Sequence, residues 1–67
     1  MEFIKRFNEI LKTYNKSRTQ IAKELNVLKQ CVNDYKTGKT VPSIQTLYSI
    51  CKILDVSADY LLGITDY

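Results

Sequence analysis

The chain predicts an all-α fold, five short helices in one domain, and three observations carry that prediction. Apolar residues recur at helical spacing along it. Ser17, Ser43 and Ser57 each stand immediately before such a stretch, where a hydroxyl commonly caps backbone N–H groups. Asn26, Gly38 and Gly63 each stand just after one, at positions where a helix stops, and Pro42 precedes the Ser43 cap. Sixty-seven residues, without a Pro/Gly/Ser-rich linker or an internal repeat, make a single domain over 1–67.

The first helix spans about Glu2 to Tyr14, with Phe3, Phe7, Ile10, Leu11 and Tyr14 on one stripe. A second begins near Arg18. There Ser17 and Gln20 form a capping box, each side chain able to satisfy an orphan donor at the helix start. Ile21, Ala22 and Leu25 follow as its apolar stripe, with Lys23 and Glu24 on the solvated side. Asn26 tolerates the left-handed backbone of a sharp turn, and Val27 can tuck beneath the corner.

In the third helix, which ends at Gly38, Cys31, Val32 and Tyr35 are spaced to face inward. Lys29, Gln30, Asn33, Lys36 and Thr37 then face out. The fourth helix follows Pro42 and the Ser43 cap, with Ile44, Leu47, Tyr48, Cys51 and Leu54 as its apolar set and Lys52 outside. The fifth, Ala58 to Leu62, stops at Gly63, whose missing side chain suits a left-handed residue.

Residues 17 to 38 therefore have the shape of a helix-turn-helix, a unit that lays its second helix in the major groove of DNA. The outward side chains of that helix are of the types that read base edges. Gln and Asn can grip adenine with two bonds, and Lys donates to guanine's acceptors.

Charge is segregated to match. Lys16 to Lys39 holds six positive against two negative residues, a net +4, whereas Lys52 to Tyr67 holds one against three, a net −2. A basic stretch that coincides with the helix-turn-helix is the electrostatic footprint of phosphate binding.

Other classes of function lack their residues. There is no histidine to act as a base and no Gly-rich phosphate loop, so a non-enzyme is expected. Asp55 and Asp59 are four apart, but Asp59 lies in a helix's first turn, where negative charge suits the dipole better than it suits an acid pair. Cys31 and Cys51, outside any C-x-x-C motif, are expected as inert core thiols rather than as a metal site. No apolar run approaches the roughly 20 residues of a bilayer span, and the N-terminus lacks a signal peptide's apolar region, which predicts a cytoplasmic protein.

Residues 7 to 63 resemble the helix-turn-helix family of phage Cro and CI repressors and their XRE-like bacterial relatives. The matching motifs are Ile21-Ala22, Leu25, Asn26-Val27, Val32, Gly38 and Pro42-Ser43, closed by Leu54-Asp55-Val56-Ser57 and Leu61-Leu62-Gly63. The fold implied is the compact five-helix, lambda-repressor-like DNA-binding domain, with its helix-turn-helix at helices 2 and 3.

Four departures touch contacts of the family. Arg18 replaces the Gln that meets a phosphate, and a guanidinium can do the same. The turn Gly is Asn26, and the small N-cap before the reading helix is Leu28, which cannot cap. Lys36 replaces a Glu, with Leu11 in place of its Arg partner, so that ion pair is absent and Lys36 is released toward phosphate.

The expected function is a sequence-specific transcriptional regulator, a repressor of Cro/CI type. Lys29, Gln30 and Asn33 are the expected base readers. Asp34, at the edge of that surface, either accepts from cytosine or restrains Gln30 four residues earlier. Arg18, Lys36, Lys39 and Thr40 are the expected phosphate contacts, together with backbone N–H groups at the start of the second helix.

More apolar residues cluster near the C-terminus than one short helix hides. Tyr60, Leu61, Ile64 and Tyr67 are therefore expected at a two-fold dimer interface, with two reading helices about 34 Å apart on a pseudo-palindromic operator. The expected partners are double-stranded DNA and a second copy of the chain, without cofactor, metal, small molecule or membrane. Brevity favours a Cro-like single-domain regulator; the N-terminal half of a longer repressor is the other possibility, since chains of the family often continue beyond a similar L-L-G segment. The alternative is a protein-docking helix-turn-helix, such as an antitoxin or an anti-repressor target, whose apolar tail is the partner surface.

Overall fold

The three serine caps form as local chemistry dictates. Ser17 Oγ accepts from the backbone N–H of Gln20 at 3.1 Å, Ser43 Oγ from that of Thr46 at 3.2 Å and Ser57 Oγ from that of Tyr60 at 3.0 Å. In the computed structural model, which describes residues 2–66, they open the second, fourth and fifth of five helices. These are α1 (Phe3–Thr13), α2 (Arg18–Leu25), α3 (Lys29–Thr37), α4 (Ile44–Leu54) and α5 (Ala58–Leu62).

All five helices close in the same way. A left-handed residue follows each last turn: Asn15, Asn26, Gly38, Asp55 and Gly63, with φ between 55° and 83°. The next backbone N–H then returns to the carbonyl five residues earlier, as in Lys16 to Leu11, Val27 to Ala22 and Ile64 to Asp59, each within 3.0 Å. Asn and Asp supply this conformation at three of the five ends because their short polar side chains tolerate it. At Gly38 the positive φ of 83° is what favours glycine; a Cβ there would also press on the end of the Ile4 side chain, which would have to swing aside.

The core is one cluster drawn from every helix: Phe3, Phe7 and Leu11; Ile21, Ala22 and Leu25; Val32 and Tyr35; Ile50 and Leu54; and Leu61. Phe7 lies at its centre. Its ring stacks on Phe3 with centroids 5.1 Å apart and meets Tyr35 edge-on at 6.4 Å. Around this cluster α1 packs on α3 and α5, α2 on α3 and α4, and α4 on α5. Burial raises the Tyr35 phenol above its ordinary pKa, and nearby Cys31 adds to the effect. A hydrogen bond with Thr46 opposes it and Asp34 reinforces it, so the hydroxyl stays neutral at physiological pH.

The apolar face of α4 differs from the expected stripe. Ile44 and Tyr48 are exposed, whereas Ile50, missing from that stripe, is fully buried. Leu47, Ile50, Cys51 and Leu54 make the tighter i, i+3, i+4, i+7 seam, and choosing it turns Tyr48 outward, toward Lys52, whose ammonium lies 5.9 Å from its ring. Tyr14 is also about half exposed, because α1 has already ended at Thr13. Cys31 and Cys51 are free thiols, both partly buried, and burial raises the Cys51 thiol's pKa.

Three side chains, Arg6, Asn8 and Lys16, tie the helices and loops together. Arg6 Nη1 donates to the carbonyls of Tyr60, at 2.8 Å, and Thr65, while the guanidinium lies 4.5 Å above the Tyr60 ring. Its Nη2 faces Glu2 at 3.4 Å and Asp66 at 3.6 Å, so a single arginine clasps the C-terminal segment onto α1. Asn8 Nδ2 donates to the Lys36 carbonyl at 3.0 Å and fastens the end of α3 to α1. Lys16 Nζ bonds both carboxylate oxygens of Glu24, at 2.8 and 2.7 Å, and ties the α1–α2 loop to α2.

Candidate nucleic-acid interface

The tight corner between α2 and α3 follows from Asn26, in the left-handed region at φ 59° and ψ 44°, with Val27 packed against the core below it. Val32 and Tyr35 anchor the inner side of α3. With those positions inward, helical geometry leaves Lys29 and Gln30 fully at the surface and Asn33, Asp34 and Lys36 at its half-buried margins. The tail does not cover this face, because Arg6 holds it against α1.

Leu28 occupies the N-cap of α3 with φ −71° and ψ 148°, the backbone of a capping residue, but its side chain accepts nothing and is 74% exposed. Leu28→Ser supplies the missing acceptor and is expected to raise stability by about 1 kcal/mol. The check is a higher urea midpoint. An unchanged or lower one would mean that the first turn of α3 gains nothing from a cap.

Two side-chain pairs organise the outward surface. Arg18 Nη1, at the start of α2, donates to Asn33 Oδ1 at 2.8 Å and so bridges the two helices. Gln30 Nε2 donates to Asp34 Oδ1 at 2.9 Å, the i, i+4 restraint that the spacing permits. Asp34 also organises the helix end through its carbonyl, which accepts from the N–H groups of Gly38 and Lys39, each at 3.0 Å, and of Thr40 at 3.4 Å. That turn folds Lys39 and Thr40 back beside α3.

Among the described residues, no carboxylate lies within ion-pair distance of Arg18, Lys29, Lys36 or Lys39. Their charge is therefore available to an anion along the flank of the unit. Lys16 is different: it lies in the basic stretch but is neutralised by Glu24.

The C-terminal end offers less apolar surface than its sequence suggests. Leu61 is fully buried in the chain's own core, Tyr60 is half-buried beneath Arg6, and Ile64 is 68% exposed; Tyr67 lies outside the described residues. Beside α5 runs a shallow groove lined by Ile10, Asp55, Val56, Ser57 and Tyr60. Nothing in the spacing of Arg6 or Asn8 announced their part in placing α3 and the tail, since their partners lie far along the chain.

Among the described residues, no group of three or more His, Cys, Asp or Glu is placed to hold a metal ion, and no helix is long and apolar enough to cross a membrane. The sequence profile of the helix-turn-helix family matches residues 8–61. The chain is similar, at 27% identity over 64 residues, to the uncharacterised HTH-type transcriptional regulator YobD of Bacillus subtilis (strain 168). That alignment covers 96% of the chain and 57% of the relative, so the chain spans little more than half the length of that regulator. No solved structure matches.

Proposed function

Because the chain belongs to the helix-turn-helix family, we propose that it is a cytoplasmic, non-catalytic, sequence-specific DNA-binding transcriptional regulator, a repressor of Cro/CI type. The observation that carries this reading is the outward face of α3, where Lys29 and Gln30 are exposed and the neighbouring cations have no acidic partner among the described residues. In this reading α3 enters the major groove, with Lys29, Gln30, Asn33 and Asp34 at the base edges. Arg18, Lys36, Lys39 and Thr40 hold the phosphates, helped by the N–H groups at the start of α2. Two copies related by a two-fold axis read a pseudo-palindromic operator, and exposed Ile64, just after α5, is apolar surface that supports such pairing.

The test is selection of bound sites from random DNA, followed by gel shifts at two salt concentrations. A palindromic consensus and steep salt dependence are expected. Absence of binding at low salt would refute this reading and leave the protein-docking alternative.

Two variants separate the proposed roles. Gln30→Ala is expected to lose about 1 to 3 kcal/mol of discrimination at particular base pairs. Equal losses on operator and random DNA would remove Gln30 from the base readers. Lys39→Ala is expected to weaken every sequence alike and to shrink the salt slope of log K by about 0.9 per contact. An unchanged slope takes Lys39 off the phosphates.

A further inference from the structure

The two amides on the outward face of α3 each have a charged neighbour, and the neighbours have opposite hydrogen-bonding polarity. Asn33 Oδ1 accepts from the Arg18 guanidinium. Gln30 Nε2 donates to the Asp34 carboxylate. A guanidinium carries donors only, and an ionised carboxylate carries acceptors only. Neither amide can therefore turn over without setting donor against donor or acceptor against acceptor.

This has a consequence for base reading. An amide grips adenine by accepting from N6–H through its oxygen while donating to N7. Gln30 keeps its oxygen and one N–H for that purpose. Asn33 is left with one lone pair of its oxygen, on the side where the Arg18 guanidinium stands. An adenine N6–H brought there would meet the guanidinium's own N–H groups. The part of Asn33 turned away from Arg18 is its NH₂ group, which fits an edge made of acceptors, and guanine's O6 and N7 are such an edge.

Building on the DNA-reading function proposed above, we propose that Arg18 and Asp34 are specificity-determining residues that fix the polarity of these amides, so that Asn33 selects guanine and Gln30 selects adenine. Arg18 has four further N–H donors, enough to hold a phosphate at the start of α2 at the same time. One side chain thus links the protein's placement on the backbone to what Asn33 reads.

The experiment is site selection from random DNA with the whole chain and with four variants. Asn33→Ala identifies the base pair that Asn33 reads, as the one that becomes degenerate. At that pair the parent protein is expected to select G·C. Arg18→Met, which keeps the bulk and removes every donor, is expected to move the preference toward A·T by about tenfold, the scale of one well-made base contact. Arg18→Lys retains a cationic donor and is expected to preserve it.

Asp34→Asn can face Gln30 with either end of its own amide, and is expected to relax the pair read by Gln30 while leaving the Asn33 pair unchanged. If Arg18→Met weakens all sequences equally and its consensus matches the parent's, Arg18 only anchors phosphate and the inference is overturned. If the parent itself selects no sequence, the DNA-reading function fails as well, so the two failures are distinguishable.

Discussion

Phe7→Ala is expected to remove about half or more of the protein's stability. Phe7 is fully buried, stacked on Phe3 and set edge-on to Tyr35, at the junction where α1 meets α3. Removing such a ring costs about 3 to 5 kcal/mol, the lost transfer free energy plus the cavity left behind. At about 0.05 to 0.15 kcal/mol per residue, a domain of this length has only some 3 to 10 kcal/mol in total. Urea denaturation followed by far-ultraviolet circular dichroism should show the midpoint falling to about half the parent's or lower. Tyr14→Ala removes an aromatic of similar size from a half-exposed position beyond the end of α1, and its midpoint should barely move. A Phe7→Ala protein within about 1 kcal/mol of the parent, below the usual range for such truncations, would mean that the core is not organised around this ring.

The second large effect concerns the proposed DNA complex, whose affinity should fall about a thousandfold between roughly 50 and 200 mM salt. Among the described residues no carboxylate lies within ion-pair distance of Arg18, Lys36 or Lys39, and in a two-fold complex they would meet about six phosphates. Each contact releases condensed counterions, which gives a slope of log K against log salt of about −5. Binding as a single copy would halve that slope, so the measurement also reports stoichiometry. Lys16→Ala provides the internal control: its ammonium is held by Glu24, and the slope should stay as it was. A slope near zero would exclude phosphate binding by this surface.

Most of the helical framework was legible in the chain. Ser17, Ser43 and Ser57 marked helix starts, and Asn26, Gly38 and Gly63 marked stops. The equivalent roles of Asn15 and Asp55 were not foreseen, although both belong to the residue types that adopt positive φ. The reading of α4 went astray because its apolar residues outnumber one face. Ile44 and Tyr48 fit a helical stripe as well as Ile50 does, and periodicity alone does not choose between overlapping stripes. In the candidate site the residue types of α3 were legible, and so was the spacing that lets Gln30 reach Asp34. The bond from Arg18 to Asn33 was not, since it joins positions 15 residues apart on two different helices.

What the sequence determined by itself was therefore local: five helices, where each begins, and the face of α3 that carries Lys29 and Gln30. Caps, turns and helical periodicity act over three to five residues, within reach of a linear pattern. What only the tertiary structure decided was the rotation of α4 about its axis, the burial of Leu61, the clasp of Arg6 on the tail, the hold of Asn8 on Lys36, and the neutralisation of Lys16. Those outcomes depend on which surfaces and charges meet once the helices pack, and packing brings together residues that the chain keeps as much as 59 positions apart.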